Sequence, residues 1–92
     1  GMTAVVDHQQ RLLGVFTDGD LRRSLDSKHD IQQTSVSDVM TRNGKTIGAG
    51  ALAFEAAQLM EEFKIHSLLV VDEQETLVGA LNIHDLLRAR VV

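Results

Sequence analysis

Apolar and polar positions alternate in the same order at two places along this chain. A β-branched run at residues 4–6 ends at Asp7 and the polar stretch His8-Gln9-Gln10-Arg11, and a second apolar run follows at residues 12–16. A run at residues 68–71 ends in the same way at Asp72, with Glu73-Gln74-Glu75-Thr76 behind it and a second run at residues 77–81. Each pair predicts two strands joined by a tight polar turn. A short helix follows each hairpin, from Asp18 to about Leu25 and from Ile83 to about Ala89. Thr17 with Asp20, and Asn82 with Asp85, have the spacing of a capping box at those helix starts. Between the two hairpins, residues 36–40 read as a short turn or helical linker, and Thr46-Ile47 as a brief strand. Leu52, Ala56, Leu59, Met60 and Phe63 fall on one face at helical spacing, which predicts an amphipathic helix over 52–64. Glu55 suits its first turn and Lys64 its end.

The two hairpins are copies of one another. Val5-Val6-Asp7-His8-Gln9-Gln10-Arg11-Leu12-Leu13-Gly14 lies over Val70-Val71-Asp72-Glu73-Gln74-Glu75-Thr76-Leu77-Val78-Gly79 at a shift of about 65 residues. The register continues, with Asp20-Leu21 over Asp85-Leu86 and Arg23 over Arg88; about nine in twenty positions are identical. The second copy is a strand-helix-strand-strand-helix repeat. The counterpart of residues 46–65 in the first copy would lie before Gly1. The expectation is an α+β fold of tandem repeats whose first member is truncated at its N-terminal half, cut from a longer protein. The repeats divide as 1–35 and 36–92. One flank of the first repeat then lacks its helix and exposes apolar surface unless a partner covers it.

Composition narrows the possible functions. The chain has 92 residues, which suits one compact domain of modest stability. Three Phe, no Tyr and no Trp leave no stacking platform for single-stranded nucleic acid, and a net charge of -4 lacks the basic field a nucleic-acid polymer requires. A small phosphorylated ligand needs only a few local donors. There is no cysteine, hence no disulfide and no thiolate zinc site, which fits a cytoplasmic protein. The longest apolar run, Leu68-Leu69-Val70-Val71, is far too short for a membrane span. No nucleophile elbow, Walker loop or dinucleotide fingerprint is present.

The duplicated strand-helix-strand-strand-helix unit resembles the CBS domain pair, or Bateman module. Gly14-Val15-Phe16-Thr17-Asp18-Gly19-Asp20 matches its signature of glycine, two apolar residues, Ser/Thr, two variable residues and aspartate. The second copy, Gly79-Ala80-Leu81-Asn82-Ile83-His84-Asp85, has asparagine at the hydroxyl position. Ser37-Asp38-Val39-Met40-Thr41 resembles the Val-Met-Thr link that precedes a CBS repeat. A narrower similarity, through residues 14–23, 38–41 and 84–92, is to the C-terminal part of D-arabinose 5-phosphate isomerases, whose family often has glycine where Arg90 stands. That resemblance implies catalysis in an attached N-terminal sugar-isomerase domain, outside these residues. The product of that reaction feeds synthesis of Kdo, a sugar of the lipopolysaccharide core. It implies no catalytic residue, metal or required cofactor here, and a regulatory role for the module.

In CBS pairs the residues matching Thr17 and Asp20 contact phosphate and ribose of an adenine nucleotide between the repeats. The resemblance therefore makes Thr17, Asp18, Asp20, Asn82 and Asp85 candidate ligand residues, with AMP, ATP or the end product CMP-Kdo as candidate effectors. The chemistry agrees: free amides at a helix start attract an anion, and a carboxylate accepts from ribose hydroxyls. The same residues serve equally well as helix caps, worth about 1 kcal/mol. His66, at a strand start, is placed to face the cleft, and Arg22, Arg23, Lys64 and Arg88 are candidates for holding phosphate or for ordinary carboxylate pairing. Gly19, inside a helical turn, invites close approach by a ligand or backbone. Asp18-Gly19-Asp20 lacks the spacing of a calcium loop. His8 falls in a turn and His29 in a polar linker, and His84-Asp85 are adjacent on a helix and face about 100° apart. The competing reading is a scaffold that homodimerises through its CBS faces and binds nothing.

Overall fold

The computed structural model describes residues 1–27 and 30–90, so His29 and the terminal Val91-Val92 of the family-like segment lie outside the described residues. Within it the chain divides into two compact units, Gly1–Gly44 and Lys45–Val92.

In the first unit, β1 (Met2–Val6) and β2 (Leu12–Thr17) form an antiparallel hairpin, followed by α1 (Asp18–Asp26) and a one-turn helix α2 (Val36–Val39). The turn is built on Asp7. Its carboxylate accepts the N–H groups of Gln9 and Arg11 at 2.8 and 3.0 Å, while Gln10 takes the left-handed conformation at φ 67°. The Asp7 carboxyl is held below the usual carboxylate range, chiefly by the Arg11 N–H. A bulge between Val5 and Val6 adjusts the register into the turn.

The second unit repeats this hairpin with an added parallel strand and a crossover helix. Strands β3 (Thr46–Gly48), β4 (Ser67–Val71) and β5 (Leu77–Asn82) lie in that order, β3 parallel to β4 and β4 antiparallel to β5. Helix α3 (Ala53–Phe63) joins β3 to β4, and α4 (Ile83–Arg88) closes the unit. The 65-residue shift is reproduced atom for atom in the turn. Asp72 accepts from Gln74 and Thr76 at 2.9 Å each, Glu75 sits at φ 65°, and the bulge falls between Val70 and Val71.

The core of this unit is Ala56, Met60, Leu68 and Leu86, with Ile47, Leu59, Leu81 and Ile83 packed around it. The helical stripe in the sequence is therefore partly in error at its ends. Leu52 is the N-cap residue, 67% exposed, and Phe63 is 40% exposed with the Lys45 ammonium 4.2 Å from its ring centre. Helical spacing cannot register that a residue on the apolar face belongs to a terminus. Lys64 ends α3 in the left-handed conformation at φ 55°, and the Ile65 N–H reaches back to the Met60 carbonyl at 3.0 Å.

The first unit buries much less. Among the described residues its only buried apolar side chain is Val15, while Leu13, Leu21, Leu25, Ile31 and Val36 are exposed. Leu21 occupies the repeat position of Leu86, yet is 41% exposed against 2%. The hairpin and terminal helix are thus duplicated, but no described helix plays the part of α3 in the first unit.

Candidate functional site

Both candidate turns form as capping boxes. At the start of α1 the Thr17 hydroxyl accepts the Asp20 N–H at 3.1 Å, and the Asp20 carboxylate accepts the Thr17 N–H at 2.9 Å. At α4 the Asn82 side-chain carbonyl accepts from His84 and Asp85 at 2.9 and 3.1 Å, and Asp85 accepts the Asn82 N–H at 2.9 Å. Asparagine thus fills the hydroxyl position without loss of the cap, as its oxygen and the threonine hydroxyl are equally competent acceptors. One turn further, Arg23 pairs with Asp20 and Arg88 with Asp85, each spaced three residues along its helix. The basic residues that the sequence offers for phosphate are, in these two cases, already paired with a carboxylate.

The two aspartates nevertheless differ. Asp20 is 3% exposed and has a third partner, the Thr41 hydroxyl, which donates at 2.9 Å to the oxygen that Arg23 also holds at 2.6 Å. Burial pushes its carboxyl up, but the donors from Thr17, Thr41 and Arg23 together outweigh that and hold it below the usual carboxylate range. The Asp85 side chain is 32% exposed, and among the described residues no hydroxyl reaches it.

Thr41 is the residue that sequence reasoning did not single out as a partner. It sits just after α2, and its backbone exchanges two 2.8 Å hydrogen bonds with Val15 of β2. The signal in the sequence was its place after Val39-Met40, a hydroxyl closing an apolar link. Gly14 makes the approach possible. A Cβ there would lie 2.7 Å from the Thr41 carbonyl oxygen and 2.8 Å from the Met40 sulfur, whereas a Cβ at the equivalent Gly79 would meet nothing nearer than Val70 at 3.9 Å.

The other candidates are more open. Asp18 is the exposed first residue of α1, beside the amino group of Gly1. A Cβ at Gly19 would meet the Arg23 guanidinium at 3.3 Å and the Thr17 hydroxyl at 3.7 Å, so its nearest neighbours are side chains of its own helix and cap and not a second backbone segment. His66 is exposed and, with Lys64 and Glu61, lines a shallow cavity of about 370 Å³ over Met60 and Ile83. Its carbonyl accepts the Ile83 N–H at 2.8 Å. Arg22 is exposed. His8 is exposed in the first turn, and His84 is exposed with its N–H committed to the α4 cap. Among the described residues no group of three or more His, Asp or Glu side chains gathers to hold a metal.

The profile of the CBS domain family matches residues 36–92. Over all 92 residues the chain is 54% identical to the C-terminal region of the arabinose 5-phosphate isomerase KdsD of Pseudomonas aeruginosa, and it spans 28% of that protein's length. Among solved structures, the cytosolic domain of the Mg2+ channel MgtE in complex with ATP superposes with a TM-score of 0.80 at 30% identity, covering 96% of this chain and 33% of the other. A CBS domain pair in complex with 5′-methylthioadenosine and S-adenosyl-L-methionine superposes with a TM-score of 0.78 at 25% identity, covering 97% and 68%.

Proposed function

The chain belongs to the CBS domain family, and on that footing we propose that it is the regulatory module of an arabinose 5-phosphate isomerase, binding a nucleotide or nucleotide-sugar. The observation that carries the reading is the 54% identity to one such isomerase along the full 92 residues. The duplicated carboxylate turns add chemical support. In this reading residues 1–35 are the second half of one repeat and residues 36–92 a complete one. The attached sugar-isomerase domain carries catalysis, in the cytoplasm, and the module biases it through the roughly 1–3 kcal/mol of an ordinary allosteric coupling. Asp85, partly open, is the carboxylate that meets a ribose hydroxyl without prior rearrangement; Asn82 and Arg88 flank it, and Thr17, Asp18 and Asp20 form the corresponding turn of the first copy. Relatives in fold are described with ATP and with S-adenosyl-L-methionine, so adenine nucleotides are the first ligands to test. CMP-Kdo, an end product, is the logical feedback effector.

Calorimetric titration of the module with AMP, ATP, CMP and CMP-Kdo tests the reading. Saturable binding near a micromolar Kd, about -8 kcal/mol, weakened by Asp85→Ala, is the expected result. Silence across the set from a folded module moves the function to the second reading, a homodimerising scaffold. That alternative draws on one observation, the five large apolar side chains exposed among the described residues of the first unit. Isomerisation of a sugar phosphate by these residues alone overturns both.

A further inference from the structure

The two carboxylate turns share their backbone geometry, caps and arginine partner, and they differ in what lies over them. Asp20 accepts from Thr17, Thr41 and Arg23 and is almost wholly buried, whereas Asp85 accepts from Asn82 and Arg88 and is partly open. Of the three donors at Asp20, the Thr17 N–H is fixed by the α1 cap, and Arg23 comes from the solvent side with a side chain that is 72% exposed. The Thr41 hydroxyl alone belongs to a separate segment. That segment lies on β2 through the two Val15–Thr41 backbone bonds and through the space that Gly14 leaves for Met40 and Thr41.

We propose that the Thr41 hydroxyl and Asp20 form a latch, which holds the segment after α2 on β2 and closes the first carboxylate turn until a ligand hydroxyl displaces Thr41. This deepens the nucleotide-binding reading and rests on it for the identity of the displacing group. A ribose hydroxyl and the threonine hydroxyl are the same chemical group competing for one carboxylate oxygen. Occupancy of the first turn is thereby coupled to the position of the link, while the second turn, with no latch among the described residues, fills without that coupling. One ligand at two copies of one motif then gives two different consequences.

Amide hydrogen exchange on the whole chain, read by NMR, tests the latch without ligand. Thr41→Val keeps the shape and removes the donor. Loss of a hydrogen bond to a buried carboxylate is expected to speed exchange at positions 15 and 41 about tenfold or more, with β4 and α3 unchanged and Thr41→Ser close to wild type. Unchanged protection at 15 and 41 in Thr41→Val overturns the latch. Saturating AMP or ATP is then expected to deprotect the amide at position 41 in the wild-type chain, and Thr41→Val to bind the nucleotide at the first turn about tenfold more tightly. Nucleotide bound at Asp20 with position 41 still protected overturns the coupling. No binding by either chain overturns the nucleotide reading and the release step with it, and the ligand-free comparison still decides whether the hydroxyl holds the segment.

Discussion

Leu86 and Leu21 stand at the same position of the two repeats, in the helix that follows each hairpin, and truncating each to alanine separates the contribution of α3 from that of the hairpin. Leu86 is 2% exposed and packs in the cluster with Ala56, Met60 and Leu68. Leu86→Ala removes its transfer energy and leaves a closed cavity under α3, for a loss of about 3 kcal/mol within the usual 2–5. Leu21 is 41% exposed, and the site around it, lined by Met2, Thr3, Phe16 and Asp18, is open to solvent. Leu21→Ala forfeits only part of the transfer energy and creates no enclosed void, for about 1 kcal/mol. A chain of 92 residues has a total stability of about 5–14 kcal/mol, so the first variant is a severe lesion and the second a mild one. Urea unfolding by far-UV circular dichroism is the assay, since the chain has neither Trp nor Tyr for fluorescence. With an m-value of about 1 kcal/mol/M, the midpoint should fall by about 3 M for Leu86→Ala and by about 1 M for Leu21→Ala. Equal shifts refute the argument that α3 is what makes the two repeats unequal.

Further outcomes follow from the same geometry. Gly14→Ala should cost about 1–3 kcal/mol, because its Cβ would meet the Thr41 carbonyl and Met40. Gly79→Ala should be neutral or gain about 0.5 kcal/mol; paired urea curves check both. Asp72→Ala leaves the N–H groups of Gln74 and Thr76 without their acceptor and should cost about 1–2 kcal/mol, with exchange at those amides the first to rise. Asp20→Asn should cost about 1–3 kcal/mol at pH 7. The Asp20 carboxyl is held below its ordinary value of 3.8 in the folded chain, so its stabilisation is full above that value and is lost as pH falls through the lower folded one. The gap between wild type and Asp20→Asn in thermal unfolding should therefore narrow below about pH 3.8, and a constant gap down to strong acid contradicts the assignment.

The hairpins, their caps and the shift that relates them were legible because each is local. Asp7 and Asp72 fold their turns through groups at most four residues away, and Thr17 and Asn82 cap helices through their nearest neighbours. The ends of α3 were less so. A face assignment treats Leu52 as another turn of apolar surface, while the chain uses it to enter the helix, and only three dimensions place Lys45 over Phe63. The contact between Thr41 and Asp20 spans 21 residues. No periodicity encodes it, and the glycine that admits it reads in the sequence as one letter of a family signature.

That glycine shows how two copies of a motif acquire different work. Gly14 and Gly79 are identical in the sequence and occupy the same register, opposite Val5 and Val70. At Gly79 the absent side chain leaves ordinary space, whereas at Gly14 it leaves room for a backbone segment that carries a hydroxyl to the nearest aspartate. The letters are therefore under different constraints at the two sites: a methyl group is a clash at one and a tolerable addition at the other. It follows that matching a residue to a motif establishes the local turn and its cap, and nothing about access. Access is set by what the next segment does. At Asp20 that segment brings a third donor to a carboxylate that is almost wholly buried, whereas Asp85 stays partly open beside an exposed arginine.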